Sequence, residues 1–306
     1  MTRIVVGVDG SDQSQAALRW AAREADLRDA DLAVVLVWDL FNQHHVDGSK
    51  KFDPSYDGTD AEAALQAIVE RTLGTERAAS VDRRAVCEVP APGLLDAAKE
   101  ADLLVVGARG LGGFRGLLLG SVSQQVLHHA TGPVAVVRST DASTPEGATE
   151  RIVVGVDGSE PSRAALRWAL SEGGLRSATV EAVHAWDVPM IYGPVGVGFP
   201  YDTQGLDRAA HELLDQIVDE VSKEVDDQPG AAAVTVERTV IPGGPATGVL
   251  DAAEGADLIV VGRRGVGGFQ RLLLGSVSDH VARHATCPVV VLPADTTGDT
   301  SAEDTA

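Results

Sequence analysis

Short apolar runs alternate along the chain with segments whose apolar residues recur at helical spacing. Ile4–Asp9 is an apolar run that ends in a turn, which predicts a buried strand. From Ala17 to Ala25 the apolar positions fall on one helical face, and Ser11 is placed to cap that helix. The same patterns predict strands at Leu32–Trp38, Val81–Val89, Asp102–Gly107 and Val134–Val137, separated by helices at Asp60–Leu73, Leu94–Ala101 and Ser121–Ala130.

The whole pattern occurs twice. Arg3–Ser11 recurs as Arg151–Ser159, and Val105–Ser123 recurs in closely similar form as Val260–Ser278. Further matched pairs are Ala16–Ala21 with Ala164–Ala169, Trp38 with Trp186, and His129 with His284. Because the repeat is far longer than the ~20–50 residues of a solenoid unit, it indicates a duplicated domain.

The repeat sets the expected domain boundaries. We predict a first domain at residues 1–138, a polar linker at 139–150, a second domain at 151–293 and a disordered acidic tail at 294–306. The offset between copies grows from 148 at Trp186 to 155 at Gly262, so the second copy contains a net seven extra residues. We expect these at Met190–Gly205.

Strict alternation of strands and helices predicts an α/β fold with two tandem doubly wound domains, each a mainly parallel sheet flanked by helices. In such sheets, ligands bind beyond the carboxyl ends of the strands. The turns after the first and fourth strands of each copy lie at such ends.

Composition narrows the possible partners. The 306 residues include 45 Asp and Glu against 25 Lys and Arg, a formal charge of −20. Such a chain repels nucleic acid and anionic lipid at long range, so neither is an expected partner. The chain has no signal-peptide pattern and no long apolar run, so we expect a cytoplasmic protein. Cys87 and Cys287 are expected to be reduced, buried thiols.

A glycine-rich loop follows the fourth strand of each copy. Gly107-x-x-Gly110 is followed by Gly120-Ser121 at the start of a helix, and Gly262, Gly265 and Gly275-Ser276 keep the same spacing. Glycines permit close backbone approach, and a helix N terminus offers unpaired N–H groups and a positive dipole end. Together they predict a phosphate cradle in each half. The loops match neither a Walker A motif nor the dinucleotide fingerprint.

Other side chains extend the candidate sites. Ser121, Ser123, Ser276 and Ser278 could donate hydroxyl hydrogen bonds to phosphate, and Arg109 and Arg264 could screen its charge. Asp9 and Asp157 could accept hydrogen bonds from a ribose or a base, or could simply stabilise their own turns. Val37 and Ala185 could offer backbone groups to a base.

The histidines and tryptophans have simpler explanations. We interpret His128, His129, His280 and His284, with the His44-His45 pair, as surface or helix-end residues, and we expect no metal site from protein side chains alone. Core packing explains the repeated tryptophan pairs at positions 20, 38, 168 and 186.

The motif G-x2-G-x9-G-[ST], the GVDGS turn and the closing HA-x-x-PV-x-V, each present twice, resemble the universal stress protein family. The resemblance implies five-stranded sheets in the order 3-2-1-4-5, ATP as ligand, and edge-to-edge domain pairing through the last strands, here Val134–Val137 with Val289–Leu292. It places nucleotide contacts at Asp9, Val37, Gly107, Gly110, Gly120, Ser121, Val122 and Ser123, and at Asp157, Ala185, Gly262, Gly265, Gly275, Ser276, Val277 and Ser278. Six further residues of these motifs are candidate nucleotide contacts, namely Gly7, Arg109, Gly113, Gly155, Arg264 and Gly268.

The leading hypothesis is therefore an ATP-binding regulator of a stress response, without catalytic activity, with one nucleotide per domain, possible Mg²⁺, and homodimer formation. A slow ATP hydrolase or phosphotransferase is one alternative, and a nucleotide-independent scaffold is another. The second loop has Arg263 where the first has Ala108, and Arg271 where the first has Gly116. The two sites are thus expected to differ in affinity.

Overall fold

The computed structural model describes residues 2–49, 51–111, 118–138, 149–187, 203–227, 233–265 and 273–293. The first half contains β1 (Arg3–Gly7), α1 (Asp12–Arg28), β2 (Asp31–Trp38), α2 (Gly58–Leu73), α3 (Thr75–Ala78), β3 (Asp82–Cys87), α4 (Pro90–Ala97), β4 (Leu103–Gly107), α5 (Ser121–His129) and β5 (Val134–Val137). The second half contains β6 (Arg151–Gly155), α6 (Glu160–Arg176), β7 (Thr179–Trp186), α7 (Thr203–Asp226), β8 (Val236–Pro242), α8 (Pro245–Ala252), β9 (Leu258–Gly262), α9 (Ser276–His284) and β10 (Val289–Leu292).

The strands form one continuous sheet in the order β3-β2-β1-β4-β5-β10-β9-β6-β7-β8. Within each half the neighbouring strands are parallel and follow the order 3-2-1-4-5, which confirms the predicted fold class. The halves meet where β5 pairs with β10 in antiparallel register, with Val136 opposite Val289 and Val134 opposite Val291. The expected pairing of Val134–Val137 with Val289–Leu292 inside one chain is therefore present.

Two hydrophobic cores, one on each face of the sheet, run through both halves. One core joins α1 and α2 to α6 and α7 and includes Leu18, Leu65, Leu166 and Leu214, all nearly inaccessible. The other joins α4 and α5 to α8 and α9 through residues such as Leu127 and Val281. Because both cores cross the β5–β10 pairing, the halves share buried apolar surface as well as a hydrogen-bonded seam.

A buried group of charges joins α1 to α6 beside this seam. Glu24 and Glu172 occupy equivalent positions, and each side chain is only 1% exposed. Arg176 pairs with both carboxylates, and Arg28 does the same while lying 5.4 Å from the ring centroid of Trp168. Burial, reinforced by the neighbouring Glu172, raises the pKa of Glu24 to about 7. The burial of Glu172 is outweighed by Arg176 and Arg28, which hold its pKa below the usual range.

The helix starts follow local chemistry. Ser11 and Ser159 cap α1 and α6 by accepting from Ser14 N (3.2 Å) and Ser162 N (3.3 Å). Helix α4 begins at Pro90 rather than at the predicted Leu94, because proline is well suited to the first helical turn. The short helix α3 was not predicted, since four residues carry no detectable periodicity.

Six of the seven extra residues of the second half lie outside the stretch predicted for them. Ile68 and Ile217 are equivalent, because their Cδ1 atoms lie against the matched glycines Gly10 and Gly158. The residue numbers of Ile68 and Ile217 differ by 149. Arg84 and Thr239 are also equivalent, because they pair with the matched residues Val35 and Val183, and their numbers differ by 155. One extra residue therefore precedes Ile217 and six follow it. The assignment to Met190–Gly205 was therefore wrong for six of the seven residues, which lie between Ile217 and Thr239.

The two cysteines differ in environment. Cys287 is buried as expected, and burial raises the pKa of its thiol to about 12. Cys87 is exposed, which corrects the expectation of burial, because β3 is an edge strand at one end of the sheet. Across the described ranges, every helix is too short or too polar to traverse a lipid bilayer.

Replacing Arg176 by methionine should destabilise the protein by about 3–5 kcal/mol, because Glu24 and Glu172 would share Arg28 as their remaining buried cation. Urea unfolding of the full chain measures this change. The matched control is Arg238→Met, which removes two exposed ion pairs to Asp215 and Asp219 and should cost less than about 1 kcal/mol. Equal costs for the two variants would contradict a stabilising role for the buried cluster.

Candidate nucleotide-binding sites

Each site begins at the turn that follows the first strand of its half. Asp9 Oδ1 accepts hydrogen bonds from Ser11 N (3.0 Å) and Ser11 Oγ (2.6 Å). Asp9 Oδ2 accepts a third from Leu111 N (2.8 Å), in the glycine-rich loop. In the second half, Asp157 Oδ1 accepts equivalent bonds from Ser159 N (3.0 Å) and Oγ (2.5 Å). Asp9 therefore stabilises its own turn and also fixes the glycine-rich loop beside it.

Close approach explains the glycines that follow the fourth strand of each half. A Cβ on Gly107 would lie 2.8 Å from the backbone carbon of Gln13, and one on Gly262 would lie 2.6 Å from that of Pro161. These glycines let β4 and β9 end against the first turns of α1 and α6. A Cβ on Gly110 or Gly265 would instead overlap the carboxylate of Asp9 or Asp157.

The next feature is the open N terminus of α5 and of α9. Gly120 and Gly275 occupy the N-cap positions and provide no side-chain cap, whereas α1 and α6 are capped by serines. No described residue accepts a hydrogen bond from the backbone N–H of Ser121, Val122 or Ser123. Unpaired N–H groups at the positive end of the helix dipole form a favourable environment for an anion.

The predicted serines divide into two kinds. The Ser123 hydroxyl is buried and donates to Gly107 O (2.7 Å), and the Ser278 hydroxyl is buried and donates to Arg263 O (2.8 Å). These hydroxyls tie the helix to the end of the preceding strand, so each contributes its N–H rather than its side chain to the open helix end. Ser121 and Ser276 remain exposed.

In the second half these groups line a cavity of about 450 Å³, within the range of small-molecule sites. Ten of the predicted residues line it, namely Gly155, Asp157, Ala185, Gly262, Arg264, Gly265, Gly275, Ser276, Val277 and Ser278. Gly268 lies outside the described residues, as do Gly113, Gly116 and Arg271. Val183, Val249 and Val261 add apolar surface to this lining and were not predicted as site residues. Val183 and Val261 lie beside the predicted Ala185 and Gly262 at the carboxyl ends of β7 and β9, which is the signal that could have indicated them, whereas Val249 lies on α8.

Comparison with known proteins identifies this architecture. The family model described as the Universal stress protein family matches residues 1–138 and again residues 148–293. The chain belongs to the universal stress protein family. A universal stress protein of Mycolicibacterium smegmatis is 35% identical over 302 residues, covering 94% of this chain and 96% of its own. One from Mycobacterium tuberculosis is 34% identical over 296 residues, covering 94% and 95%.

Solved structures show the same fold. A universal stress protein from Archaeoglobus fulgidus superimposes with a TM-score of 0.65 at 21% identity, covering 95% of this chain and 98% of its own. At that identity the likeness shows the fold alone.

The two sites of this universal stress protein differ at their apolar ends. Val37 and Leu94 in the first half correspond to the smaller Ala185 and Val249 in the second. A Cβ on Gly7 would lie 2.8 Å from Leu94 Cδ1, whereas one on Gly155 would lie 3.2 Å from Val249 Cγ2. The first site therefore has less room at this end.

His44 departs from the interpretation as a surface residue. It is 6% exposed, and its backbone is held by the Tyr56 hydroxyl, which donates to His44 O (2.6 Å) and accepts from His44 N (3.2 Å). Neither ring nitrogen has a hydrogen-bond partner among the described residues. Burial lowers its pKa, opposed by the Asp9 carboxylate, so the neutral ring is favoured. Nothing in the surrounding sequence pattern distinguished His44 from the half-buried His45.

The helix-end histidines agree with the sequence interpretation. His129, His280 and His284 are exposed, and the rings of His280 and His284 stack with centroids 4.3 Å apart. Within the described ranges, no group of three or more His, Cys, Asp or Glu side chains is arranged to hold a metal ion.

Gly107→Ala should lower the free energy of unfolding by about 1–3 kcal/mol, because the added Cβ meets the Gln13 backbone, which cannot rotate away. Gly58→Ala is the matched control, since the nearest atom to its added Cβ is 3.9 Å away on Trp38. Urea unfolding of both variants checks the prediction, and equal stability would show that β4 and α1 do not depend on this close approach.

Proposed function

We propose that each half of the chain binds one ATP molecule and that nucleotide occupancy regulates a stress response without catalytic turnover. The cavity of the second half carries this proposal, because it combines an uncapped helix end, a glycine-rich wall and an apolar surface in about 450 Å³. These are the separate requirements of a phosphate chain and of a base, and both occur in the lining of one cavity.

The phosphate end is favourable to an anion despite the acidic composition of the chain. The formal charge is −20, yet the lining of the second cavity includes Asp157 as its sole acidic residue among those described, together with Arg264. Asp157 Oδ1 already accepts from Ser159. A polyphosphate would therefore meet backbone N–H groups and a guanidinium rather than a free carboxylate.

The base end offers an apolar surface and strand-end backbone groups. Val183, Val249 and Val261 line it, and Ala185 lies at the end of β7. An adenine ring could stack on this surface while its edge reaches backbone groups of β7. ATP has both a base for the apolar surface and a phosphate chain for the N–H groups. Mg²⁺ would accompany it, bound to the phosphate oxygens.

The variant pair Ser121→Pro and Ser276→Pro, made together, tests the phosphate end. Gly120 (φ −77°, ψ 158°) and Gly275 (φ −75°, ψ 156°) already have the backbone geometry that proline requires of its preceding residue. Each proline therefore removes one N–H donor without strain at the first helical position. We expect ATP affinity measured by calorimetry to fall about tenfold or more, since a hydrogen bond to a charged group contributes about 1.5–3 kcal/mol.

Ser121→Ala with Ser276→Ala is the control, because alanine retains the N–H and removes the hydroxyl. The proposal predicts about two ATP per wild-type chain, a strong effect of the prolines and a weaker effect of the alanines. Full ATP affinity in the double-proline variant would refute the phosphate cradle. Absence of ATP binding in the wild-type chain would favour the scaffold alternative.

The non-catalytic part of the proposal is supported by the Asp9 carboxylate, whose two oxygens accept three hydrogen bonds from Ser11 and Leu111. A carboxylate so engaged is poorly placed to orient water for phosphoryl transfer. We therefore expect ATP turnover to be equal and at background level in the wild-type chain and in the Asp9→Asn, Asp157→Asn double variant. A timed assay in which the wild type alone releases phosphate would establish the hydrolase alternative.

A further inference from the structure

Two half-buried arginines cross the seam between the halves. Arg138 follows β5, and its Nη2 donates to Ala282 O (2.7 Å) and Arg283 O (2.6 Å) in the last turn of α9. Its Nη1 donates to Leu118 O (3.1 Å), in the loop that leads to the N terminus of α5. Arg138 thus joins the loop of the first site to the helix of the second.

Arg263 makes the reciprocal connection. It lies within the glycine-rich loop of the second site, where its carbonyl accepts from Gly275 N (2.8 Å) and Ser278 Oγ (2.8 Å). Its Nη2 donates to Ala130 O at the C-terminal end of α5. Arg263 thus joins the loop of the second site to the helix of the first.

The charges at these positions are costly to bury. Burial, together with the neighbouring Arg109, lowers the pKa of Arg138, and burial together with Arg264 lowers that of Arg263. Neither arginine forms an ion pair within the described part of the chain, and both donate to carbonyls at helix C termini. A cation there is stabilised by the helix dipole and by the otherwise unpaired carbonyl groups.

The two links did not arise by copying one residue in the duplication. The counterpart of Arg138 in the second half is Pro293, and the counterpart of Arg263 in the first half is Ala108. Two unrelated positions therefore make the same kind of contact in opposite directions. Such convergence is not required for core packing, since each half has its own seam strand and buried helices.

We propose that Arg138 and Arg263 are positioning residues that couple the two nucleotide sites, so that filling one site changes the affinity of the other. The proposal rests on the proposed function. Helices α5 and α9 each have nine residues, a rigid length of about 14 Å at ~1.5 Å per residue. Each helix presents its N terminus to the phosphates of one site and its C terminus to an arginine from the other half.

A ligand that draws the N terminus of α5 towards its phosphates moves Ala130 O relative to Arg263. Because the Arg263 carbonyl anchors Gly275 and Ser278, the movement reaches the second cradle directly. Arg138 transmits the opposite movement from α9 to Leu118. Coupling of this kind must be reciprocal in free energy.

The test follows one helix while the other site is filled. In the Ser121→Pro variant of the full chain, binding at the first site is weakened about tenfold or more. The non-hydrolysable ATP analogue AMP-PNP is added at a concentration that fills the second site and leaves the first largely empty. Amide hydrogen exchange is then measured over residues 121–130. We expect exchange in α5 to change about fivefold or more on filling the second site, the lower range of typical couplings.

The Arg263→Ala change, which installs the residue found at position 108, should abolish this response while the second site still binds AMP-PNP. Arg263→Lys is the control for misfolding, because it keeps the positive charge and should retain part of the response. Arg238→Ala, on β8 and paired with Asp215 and Asp219, should leave it intact. In the Arg138→Ala, Arg263→Ala double variant, calorimetry should show that filling one site leaves the affinity of the other unchanged.

The outcomes separate the two proposals. Binding of AMP-PNP to the second site without any change in α5 exchange, or with a change that survives Arg263→Ala, overturns the coupling and leaves the proposed function standing. Absence of AMP-PNP binding in the wild-type chain overturns both.

Discussion

The antiparallel pairing of β5 with β10 is the constraint on which the rest of the molecule depends. Both strands have four residues, all buried, and either one unpaired would be an apolar sheet edge open to aggregation. Pairing them inside one chain satisfies both edges at once and leaves the charged strands β3 and β8 as the ends of the sheet. The β5–β10 edges are therefore already used within the chain, so the predicted homodimer would require a different surface.

The same pairing determines which groups meet across the seam. It brings α1 against α6, so that equivalent carboxylates at Glu24 and Glu172 would repel each other without Arg28 and Arg176 between them. On the opposite face it brings α5 and α9 within reach of Arg263 and Arg138. The charged contacts between α1 and α6 therefore stabilise the packing of the two halves. The contacts of Arg263 and Arg138 instead involve the helices that build the candidate sites.

The strands at residues 3–7, 31–38 and 134–137 were predictable to within two residues at their ends, because buried parallel strands are nearly continuous apolar runs. The juxtaposition of Asp9 with the glycine-rich loop followed from the strand order implied by the family resemblance. Other features depend on three-dimensional neighbours that no local pattern encodes. His44 is buried because Tyr56 holds its backbone, and the reach of Arg138 to α9 requires a pairing between residues 144 positions apart. The role of Gly107 was anticipated as exposure of backbone to a ligand, whereas the structure attributes it to contact with α1.

Because the domain is duplicated, the two candidate sites are built from equivalent elements. They differ mainly where a base would bind. The uncapped helix ends and their strand-linked serines are the same in both halves, so the proposed phosphate end has the same donors in each. At the apolar end, Val37 and Leu94 replace Ala185 and Val249, and the loop with His44 packs near Asp9 in the first half. Because these substitutions reduce space without altering the cradle, divergence between the halves would change the selectivity and affinity of the first site while preserving its anion chemistry. If both candidate sites bind nucleotide, two such unequal sites joined by half-buried arginines would let the chain respond over a wider range of ligand concentration than a single domain.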